Sequence, residues 1–213
     1  MKKIFEGVYK ENNRIFTKNL VPGKKVYNEK LIKKGKEEYR SWNPYRSKMA
    51  GAILKGLKDF PIRKDSKILY LGVASGTTAS HFSDIATNGI IYGVEISFKP
   101  MKNFIKLCQH RKNLIPILED ANKPYKYEAI VEEIDFMYQD IAQKNQVEIF
   151  LKNMEKFDVN KACIMIKARS ISILMEPKKV FEKVKKEIEK HFEIRQMIKL
   201  NPYAKDHIAI LID

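Results

Sequence analysis

The ionisable residues of this chain that are best suited to chemistry stand at the ends of short apolar runs. Asp140 closes the run IDFMYQD, Lys167 closes ACIMIK and His207 opens HIAILID, while Lys48 follows a basic N-terminal stretch. A carboxylate, two amines and an imidazole are groups that orient and transfer protons. If the runs are neighbouring strands, Asp140 and Lys167 point into one crevice, where the carboxylate orients the lysine. Each residue alone is more often a cap or a solvated side chain, so the prediction depends on the elements that bring the set together.

A glycine-bearing turn follows the first of the apolar runs, KILYLG. The turn reads Gly72-Val73-Ala74-Ser75-Gly76-Thr77-Thr78 and leads into a helical pattern. A glycine at a strand end permits a tight turn and lets a ligand approach the backbone, and the N-terminus of the next helix attracts a carboxylate or phosphate. The spacing G-x-x-x-G differs from the dinucleotide fingerprint, and the lysine of a phosphate-binding P-loop is missing. The turn therefore predicts a ligand-binding loop and argues against an NTP site.

Carboxylates also end the next apolar runs. Glu95 follows the second run 23 residues after Gly72, Asp120 follows the third, and Asp140 ends the fourth. An acid about 20 residues beyond such a glycine turn binds ribose hydroxyls in Rossmann-like folds. The carboxyl ends of parallel strands meet at one edge of the sheet, where these folds bind ligands. A helix cap explains one such acid, but three acids and the glycine turn together predict a nucleoside-type cofactor site.

The elements that must position these residues alternate between apolar runs and amphipathic segments. The five runs are KILYLG, GIIYGVE, NLIPILED, IDFMYQD and ACIMIKA, and helical segments lie near 77–87, 98–112 and 144–156, with a weak one at 123–133. Continuous apolar runs are typical of strands covered on both faces, so the order predicts an α/β fold with a doubly wound parallel sheet. A helix near 177–191 and a terminal hairpin of FEIRQMIKL and HIAILID then add one antiparallel strand to this sheet.

The first residues have a different pattern. Residues 1–41 alternate short β-type runs with turn signals and predict a set of charged hairpins. The runs are IFEGVY, RIFTKNLV and KKVYNEKLI, and the turn signals are Asn12-Asn13, Pro22-Gly23 and Lys34-Gly35. A helical period begins at Asn43, with Asn43 or Ser41 as its cap and Pro44 in its first turn. We therefore divide the chain into a small basic β region, 1–42, and a larger domain, 43–213.

Charge is distributed unevenly along the 213 residues, whose formal net charge is +15. Residues 1–67 carry 19 Lys and Arg against 7 Asp and Glu, while residues 68–213 carry 22 against 19. This asymmetry favours a polyanion-facing end, and a solvated lysine-rich surface is the alternative. No apolar run is long enough to cross a bilayer, and no Cys or His spacing predicts a metal site. Two cysteines, Cys108 and Cys163, favour a reducing, cytoplasmic setting.

Six segments of the chain resemble the fibrillarin family, and more specifically its archaeal members. They are WNPYRSKMAGAI (42–53), LYLGVASGTTASHFSDI (69–85), IPILEDANKPYKY (115–127), YQDIAQ (138–143), IKARSI (166–171) and AKDHIAIL (204–211). These motifs are long and occur in the family's order. The resemblance covers essentially the whole chain, including the basic N-terminal region.

This resemblance implies a Rossmann-like methyltransferase that depends on S-adenosylmethionine, with a seven-stranded, mostly parallel sheet holding one antiparallel strand. The implied reaction is methylation of ribose 2′-hydroxyls in rRNA and tRNA, within a box C/D guide ribonucleoprotein. There a guide RNA pairs with the target RNA, a Nop-type scaffold protein docks the methyltransferase, and a kink-turn-binding ribosomal-type protein recognises the guide. Base pairing would then choose the target, and the chain would need only backbone and shape contacts.

The resemblance also implies which residues of this chain form the site, because they occupy the matching positions of the motifs. The implied catalytic set is Lys48, Asp140, Lys167 and His207. The residues implied to hold the cofactor are Gly72, Ala74, Gly76, Thr77, Thr78, Glu95, Ile96, Asp120, Ala121, Asp140, Ile141, Ala142 and Gln143. Within that set the glycine turn and threonines take the methionine end, Glu95 the ribose, and Asp120 and its neighbours the adenine. We hypothesise that Lys167 receives the proton of the ribose hydroxyl while Asp140 orients it.

Two other functions remain open at this point. One is a non-catalytic RNA-binding subunit that keeps the fold, although all four implied catalytic positions are present. The other is a methyltransferase that modifies a glutamine side chain of a protein. An assay with isotope-labelled cofactor and the partner molecules separates these alternatives.

Overall fold

A small antiparallel sheet forms the beginning of the chain in the computed structural model, which describes all 213 residues. Its strands are β1 (Lys2–Phe5), β2 (Val8–Glu11), β3 (Arg14–Lys18), β4 (Leu31–Lys34) and β5 (Glu37–Trp42), in the order β1-β2-β3-β5-β4. Positive φ values at Gly7, Asn12 and Gly35 make the three tight hairpin turns, as such turns require. The predicted hairpins are therefore present as one five-stranded sheet.

Two of the predicted runs in this region were too long. The first hairpin turn, at Glu6 and Gly7, falls inside IFEGVY. In KKVYNEKLI only the final residues join a strand, because the Glu29 carboxylate accepts hydrogen bonds from the N–H groups of Val26 and Tyr27 and folds the segment on itself. Local side-chain hydrogen bonds thus compete with strand pairing in the second run.

The larger sheet has seven strands. They are β6 (Lys67–Leu71), β7 (Ile90–Val94), β8 (Leu114–Ile117), β9 (Phe136–Gln139), β10 (Ala162–Lys167), β11 (Ile194–Lys199) and β12 (His207–Ile212). Their order is β11-β12-β10-β9-β6-β7-β8. Strands β6 to β10 pair in parallel, whereas β12 runs antiparallel to both β10 and β11. The prediction of a mostly parallel sheet with one antiparallel strand is confirmed.

Six helices flank this sheet. They are α1 (Lys48–Leu54), α2 (Thr77–Ile85), α3 (Phe98–Cys108), α4 (Gln146–Lys156), α5 (Ala168–Ile171) and α6 (Pro177–Ile188). Helices α1, α2 and α3 and the small sheet share one apolar core, and α4 and α6 share another on the opposite face. Along β6 the residues alternate between these cores, with Ile68 and Tyr70 in the first and Leu69 and Leu71 in the second. No helix is both long and apolar enough to span a membrane.

Helix α1 starts later than predicted. The sequence pattern placed its cap at Asn43 or Ser41, but the cap is Ser47, whose Oγ accepts a hydrogen bond from the Ala50 N–H at 3.4 Å. The Asn43 Oδ1 accepts instead from the Tyr45 N–H at 2.9 Å, which closes a turn before the helix. This correction places Lys48 at the first helical position. Likewise, the weak helical pattern at 123–133 folds only as a short 3-10 turn, Pro124–Lys126.

A buried charge cluster, the Asp84 cluster, fastens the small sheet to α2. The Asp84 Oδ2 accepts from Thr17 Oγ1 at 2.7 Å and from the Arg40 guanidinium at 2.8 Å. Its Oδ1 accepts from the Arg111 guanidinium at 2.6 Å and from the Leu20 N–H at 3.0 Å. The three charged side chains are 0–1% exposed. Since removing one member of a buried ion pair leaves an uncompensated charge, this cluster fixes how the two sheets meet.

His81 completes the Asp84 cluster as a neutral residue. Burial, with the charges of Arg40 and Arg111, holds the pKa of His81 well below its ordinary value. The Thr17 hydroxyl already donates to Asp84, so the His81 Nδ1–H donates to Thr17 at 2.7 Å. The Tyr27 hydroxyl lies 2.8 Å from the His81 Nε2 and 2.9 Å from the Ser41 carbonyl oxygen, so its single hydrogen is shared between these two acceptors. His81 is therefore a structural histidine.

Candidate active site

A cleft opens at the carboxyl ends of β6, β7, β8 and β9, where a parallel sheet of this kind binds its ligand. Its cavity volume is about 260 Å³. The lining residues are Gly72, Ala74, Val94, Glu95, Ile96, Glu119, Asp120, Ala121, Asn122, Asp140, Ile141, Ala142, Gln143 and Ile149. Ten of the thirteen residues implied by the motifs thus lie around one cavity. The other four lining residues were not assigned from the sequence.

Gly72 makes the close approach of two strand ends possible. Its φ is +78°, and a Cβ at this position would stand 2.6 Å from the carbonyl oxygen of Asp140 and 2.9 Å from Ile141. The Gly72 N–H donates to the Val94 carbonyl oxygen at 2.9 Å. Only glycine fits here without moving the Asp140 backbone, so the turn after β6 and the acid after β9 are positioned together.

The second glycine of the turn and the two threonines lie outside the cavity lining. Gly76 caps α2 with φ +84°, and a Cβ there would stand 2.6 Å from the Phe104 ring, so this glycine serves the packing of α2 on α3. The buried Thr78 hydroxyl donates to the Ser47 hydroxyl at 2.9 Å. Thr78 thereby links the glycine turn to the cap of α1, and contact of Gly76, Thr77 and Thr78 with a cofactor stays a prediction.

Glu95 presents a fixed carboxylate at the middle of the cleft. Its Oε2 accepts from the Ala74 N–H at 3.1 Å, and its Oε1 accepts from the Ser97 N–H at 2.8 Å. A carboxylate has about four acceptor sites, so both oxygens can accept further bonds. Two hydroxyls on adjacent carbons, as in a ribose, match such a rigid pair of acceptors.

Asp120 provides a second fixed anion in the cleft. Burial acts to raise the pKa of Asp120, but the backbone and side-chain N–H donors of Asn122, with the charges of Lys123 and Lys126, outweigh it and lower this pKa. The Asn122 donors lie 2.9 and 3.0 Å from the Asp120 Oδ1. The Asp120 carboxylate is therefore ionised at neutral pH and suited to an N–H donor of a ligand.

One end of the cleft holds an ion pair between distant parts of the chain. The Lys48 Nζ lies 2.6 and 2.9 Å from the two carboxylate oxygens of Asp140. The side chains of Lys48 and Asp140 are 28% and 18% exposed. Asp140 lines the cavity, and its backbone N–H donates to the Leu71 carbonyl oxygen. This arrangement holds an ammonium group at the cavity mouth.

Lys167 and His207 lie side by side across the antiparallel pair of β10 and β12, where their Cα atoms are register partners. The His207 Nδ1 lies 2.6 Å from the Lys205 carbonyl oxygen, which can only accept, so Nδ1 carries the hydrogen. Burial is the main cause that lowers the pKa of His207. A neutral His207 then has its lone pair on Nε2.

The expected contact between Asp140 and Lys167 is absent. Asp140 forms its ion pair with Lys48 instead, because the Ser47 cap sets α1 so that Lys48 starts the helix beside the end of β9. Lys167 is held through its backbone, since its N–H donates to the Gln146 Oε1 at 3.1 Å. The hypothesis that Asp140 orients Lys167 is therefore replaced by orientation of Lys48.

Two polar residues that sequence reasoning missed support this site. The hydroxyl of Ser47 caps α1 and accepts from Thr78. The buried Gln146 accepts from the Lys167 N–H and donates to the Gln143 carbonyl oxygen at 2.7 Å, tying a cavity-lining loop to β10. The sequence held a signal only for Ser47, since serine is a preferred helix cap.

The sheet order and the cleft define the class of protein. A seven-stranded sheet with one reversed strand beside β10, and a cleft with a glycine turn and strand-end carboxylates, form the α/β methyltransferase fold. Comparison with known proteins then narrows the class to a family. The family model described as Fibrillarin matches residues 1–213. The chain belongs to the fibrillarin family.

Individual relatives are similar over nearly their whole length. The chain is 49% identical to the fibrillarin-like rRNA/tRNA 2′-O-methyltransferase of Methanocaldococcus jannaschii, over 99% of this chain and 95% of the relative. The crystal structure of Aeropyrum pernix fibrillarin with natively bound S-adenosyl-L-methionine is 44% identical, with a TM-score of 0.87 over 94% of this chain and 89% of that one. A fibrillarin/Nop5p complex contains a chain that is 46% identical, with a TM-score of 0.92 and 99% coverage of both chains.

Proposed function

We propose that this chain transfers a methyl group from S-adenosylmethionine to ribose 2′-hydroxyls of rRNA and tRNA. Membership of the fibrillarin family and the 49% identity with an rRNA/tRNA 2′-O-methyltransferase support this function. The observation that carries it is the Lys48–Asp140 pair at the mouth of a cleft with two fixed carboxylates. On this proposal, a cofactor site and a group of proton-handling side chains meet at one edge of the sheet.

The cleft residues fit the cofactor by their chemistry. Glu95, with both oxygens fixed by backbone N–H groups, would accept from the two ribose hydroxyls. The ionised Asp120 would accept from the amine of the adenine, and the exposed Ile96 would cover the ring. The backbone between Asp140 and Gln143 would lie beside the sulfonium, where a carboxylate favours positive charge. When bound, S-adenosylmethionine supplies an electrophilic methyl group.

The substrate hydroxyl must lose a proton, and we propose that His207 accepts it. A neutral imidazole with its hydrogen on Nδ1 has a lone pair on Nε2, whereas a charged ammonium has none. We therefore assign the proton to the His207 Nε2 rather than to Lys167, and leave Lys167 to bind the ribose or a neighbouring phosphate. Lys48, held by Asp140, would orient the hydroxyl oxygen. General-base help of this kind contributes about 10²–10⁴-fold to a rate.

The pH profile tests this assignment. His207→Gln should lower methyl transfer by about 10²-fold and remove the acid limb of the profile, because its lowered pKa sets that limb. Lys167→Ala should lower the rate but keep the acid limb, and both variants should bind cofactor normally. If the acid limb is unchanged in His207→Gln, Lys167 rather than His207 accepts the proton.

We further propose that the chain works in a guide ribonucleoprotein, docked on a Nop-type scaffold protein. The likeness to the chain in the fibrillarin/Nop5p complex supports the scaffold partner. A box C/D guide RNA and a kink-turn-binding protein are predictions that rest on the family alone. Residues 1–42, fastened through the Asp84 cluster, would form a small basic β region, and residues 43–213 would form the methyltransferase domain. A cytoplasmic location also stays a prediction, favoured by the free Cys108 and Cys163.

Transfer of labelled methyl groups tests the function as a whole. The chain would be assembled with a scaffold protein, a kink-turn-binding protein, guide RNA and a complementary target. We expect label at one ribose of the target, at the position set by the guide. Label on a glutamine side chain would favour a protein methyltransferase, and cofactor binding without any transfer would favour a non-catalytic subunit.

A further inference from the structure

Two tyrosines stand beside the candidate reaction centre without any assigned role. Tyr45 lies three residues before Lys48, and Tyr203 lies four residues before His207. Their rings meet edge to face with centroids 5.2 Å apart. Tyr203 packs against Gly51 of α1, whereas Tyr45 is 67% exposed. Neither hydroxyl has a hydrogen-bond partner within the protein, so both are available to a ligand.

The tyrosines form one wall of a groove that we call the tyrosine groove, defined by Arg14, Lys30, Tyr45 and Tyr203. Its volume is about 500 Å³. Arg14 comes from the start of β3, and Lys30 precedes β4, so the small sheet forms the opposite wall. Both cations are exposed and neither forms an ion pair within the protein. The tyrosine groove therefore offers two free positive charges and two free hydroxyls.

Two short chain segments connect the tyrosine groove to the candidate reaction centre. The loop that carries Tyr45 leads into α1, whose first residue is Lys48, and the loop that carries Tyr203 leads into β12, whose first residue is His207. A polymer with one unit at Lys48 and His207 would have its next units within reach of the tyrosine groove. Free cations fit phosphates, and tyrosine hydroxyls fit ribose hydroxyls or phosphate oxygens.

We propose that the tyrosine groove binds the sugar–phosphate backbone of the substrate RNA strand next to the methylated nucleotide, an inference that rests on the proposed function. Arg14 and Lys30 contact phosphates, and Tyr45 contacts a ribose or phosphate oxygen. Backbone contact suits an RNA whose bases are paired with a guide, because paired bases are not free to stack. Such contacts carry no sequence information, so the tyrosine groove positions the strand without choosing it.

A double variant, Arg14→Gln with Lys30→Gln, tests this proposal in the assembled particle. Each phosphate contact releases about one counterion on binding, and the double variant loses two such contacts. The salt slope, which is the slope of the logarithm of the RNA-binding constant against the logarithm of the salt concentration, should therefore fall in magnitude by about 2. At ~0.1 M salt the same counterion effect weakens binding about tenfold or more. Cofactor affinity should be unchanged, and kcat at saturating RNA should stay within about twofold.

The matched control removes two exposed, unpaired lysines from α6, which packs on the opposite face of the large sheet. Lys179→Gln with Lys183→Gln lowers the net charge equally and should leave the salt slope close to that of the wild type. Tyr45→Ala should weaken RNA binding, and Tyr45→Phe should weaken it as much if the hydroxyl makes the contact. Equal salt slopes for the two double variants would overturn the proposal.

Neutral methylphosphonates in the target RNA identify the contact directly. Substituting the phosphates beside the target nucleotide should weaken binding of the wild type but not of the Arg14 and Lys30 double variant. If both proteins respond equally, or if the double variant loses the scaffold protein while keeping its salt slope, the tyrosine groove does not bind RNA. RNA binding by a wild type that transfers no methyl group would refute the proposed function and leave this contact measurable.

Discussion

The Asp84 cluster and the Lys48–Asp140 pair use the same attraction between a carboxylate and a cation in two different ways. In the Asp84 cluster the charged side chains are 0–1% exposed, and each oxygen of Asp84 accepts from two protein donors. In the second pair the side chains are 18% and 28% exposed, and one lysine supplies all the donors to Asp140. Because the acceptor sites of Asp84 are filled and buried, the first cluster holds the fold together. Because Asp140 has unfilled acceptor sites and is partly exposed, the second pair can still bind a ligand.

This difference separates stability from activity. A saturated, buried carboxylate has no acceptor site left for a substrate, and loss of one partner destabilises the fold. A half-open pair adds little to stability because solvent screens it, but its ammonium group can still donate hydrogen bonds. The two regions should therefore respond oppositely to removal of their cations.

The largest effect is expected from Arg40→Met. Arg40 forms buried ion pairs with Asp84 and with Glu29, whose Oε1 lies 2.6 Å from the Arg40 Nε. The change leaves both carboxylates buried with fewer donors, so the free energy of unfolding should fall by about 3–5 kcal/mol. Urea unfolding measures this loss. Lys18→Met removes a cation from a surface pair with Glu37, in which both side chains are 44–51% exposed, and should cost under about 1 kcal/mol. If both variants lost a similar free energy of unfolding, the buried Asp84 cluster would stabilise the fold no more than a surface ion pair does.

Lys48→Met should have the opposite profile. Methyl transfer in the assembled particle should fall by about 10²–10³-fold, because a misplaced reacting group costs about that much. The free energy of unfolding should fall by only about 1 kcal/mol, since the pair is partly solvated. Single-turnover rates and urea unfolding measure the two quantities, and cofactor affinity serves as the control. Stability loss as large as that of Arg40→Met would show that the pair is structural.

Gly72→Ala tests the backbone that holds Asp140 at the cleft. The added Cβ would stand 2.6 Å from the Asp140 carbonyl oxygen at a φ of +78°, so strain and displacement together should cost about 2–3 kcal/mol. Cofactor affinity should fall as well. Gly23→Ala is the matched control, because its φ is +80° with no atom within 4 Å of the new Cβ, and it should cost about 1 kcal/mol. Titration calorimetry should find cofactor affinity unchanged in that control.

The pH dependence of stability should distinguish His81 of the Asp84 cluster from His207 near the Lys48–Asp140 pair. Burial holds the pKa of His81 well below its ordinary value, so the unfolded chain binds a proton that the folded chain rejects. Stability is therefore present above about pH 6.5 and is lost as pH falls, by about 2 kcal/mol between pH 7 and pH 5. His81→Gln, already less stable at pH 7, should lack most of this decline. His207→Gln should keep most of the decline, because burial lowers the pKa of the half-buried His207 less than that of the fully buried His81; loss of the decline there would contradict the assignment.

Much of the fold could be predicted because its strands are continuous apolar runs. Runs such as KILYLG and ACIMIK are covered on both faces by helices, and that burial forces the pattern that the sequence shows. The reversed strand was also predictable, since the two apolar runs on either side of Asn201-Pro202 indicate a hairpin, whose second strand runs antiparallel to the first. The predicted methyltransferase fold is confirmed. The predicted start of α1 near Asn43 was wrong, and the helix begins at Lys48, because Asn43 and Ser47 are both good caps and only packing selects between them.

The candidate site was predictable where it follows strand ends and unpredictable where it depends on packing. Glu95, Asp120 and Asp140 could be found because each ends an apolar run at the same edge of the sheet. The partner of Asp140 could not, since Lys48 and Lys167 are equally plausible until α1 is placed. The Asp84 cluster was missed entirely: Arg40 and Arg111 read as ordinary basic residues, and their shared partner is far away along the chain. Cofactor contact and catalytic roles stay predictions.

The reversed strand β12 has a consequence for the activation entropy of the reaction. In a parallel sheet, residues reach the carboxyl edge on loops, but His207 is the first residue of a strand paired on both sides, with β10 and β11. Its position is therefore fixed by backbone hydrogen bonds before any substrate arrives. Ordering a reacting group in advance lowers the entropy lost in the transition state. If His207 has the role proposed for it, the reversal of one strand transfers part of the ordering needed for each turnover to the single event of folding.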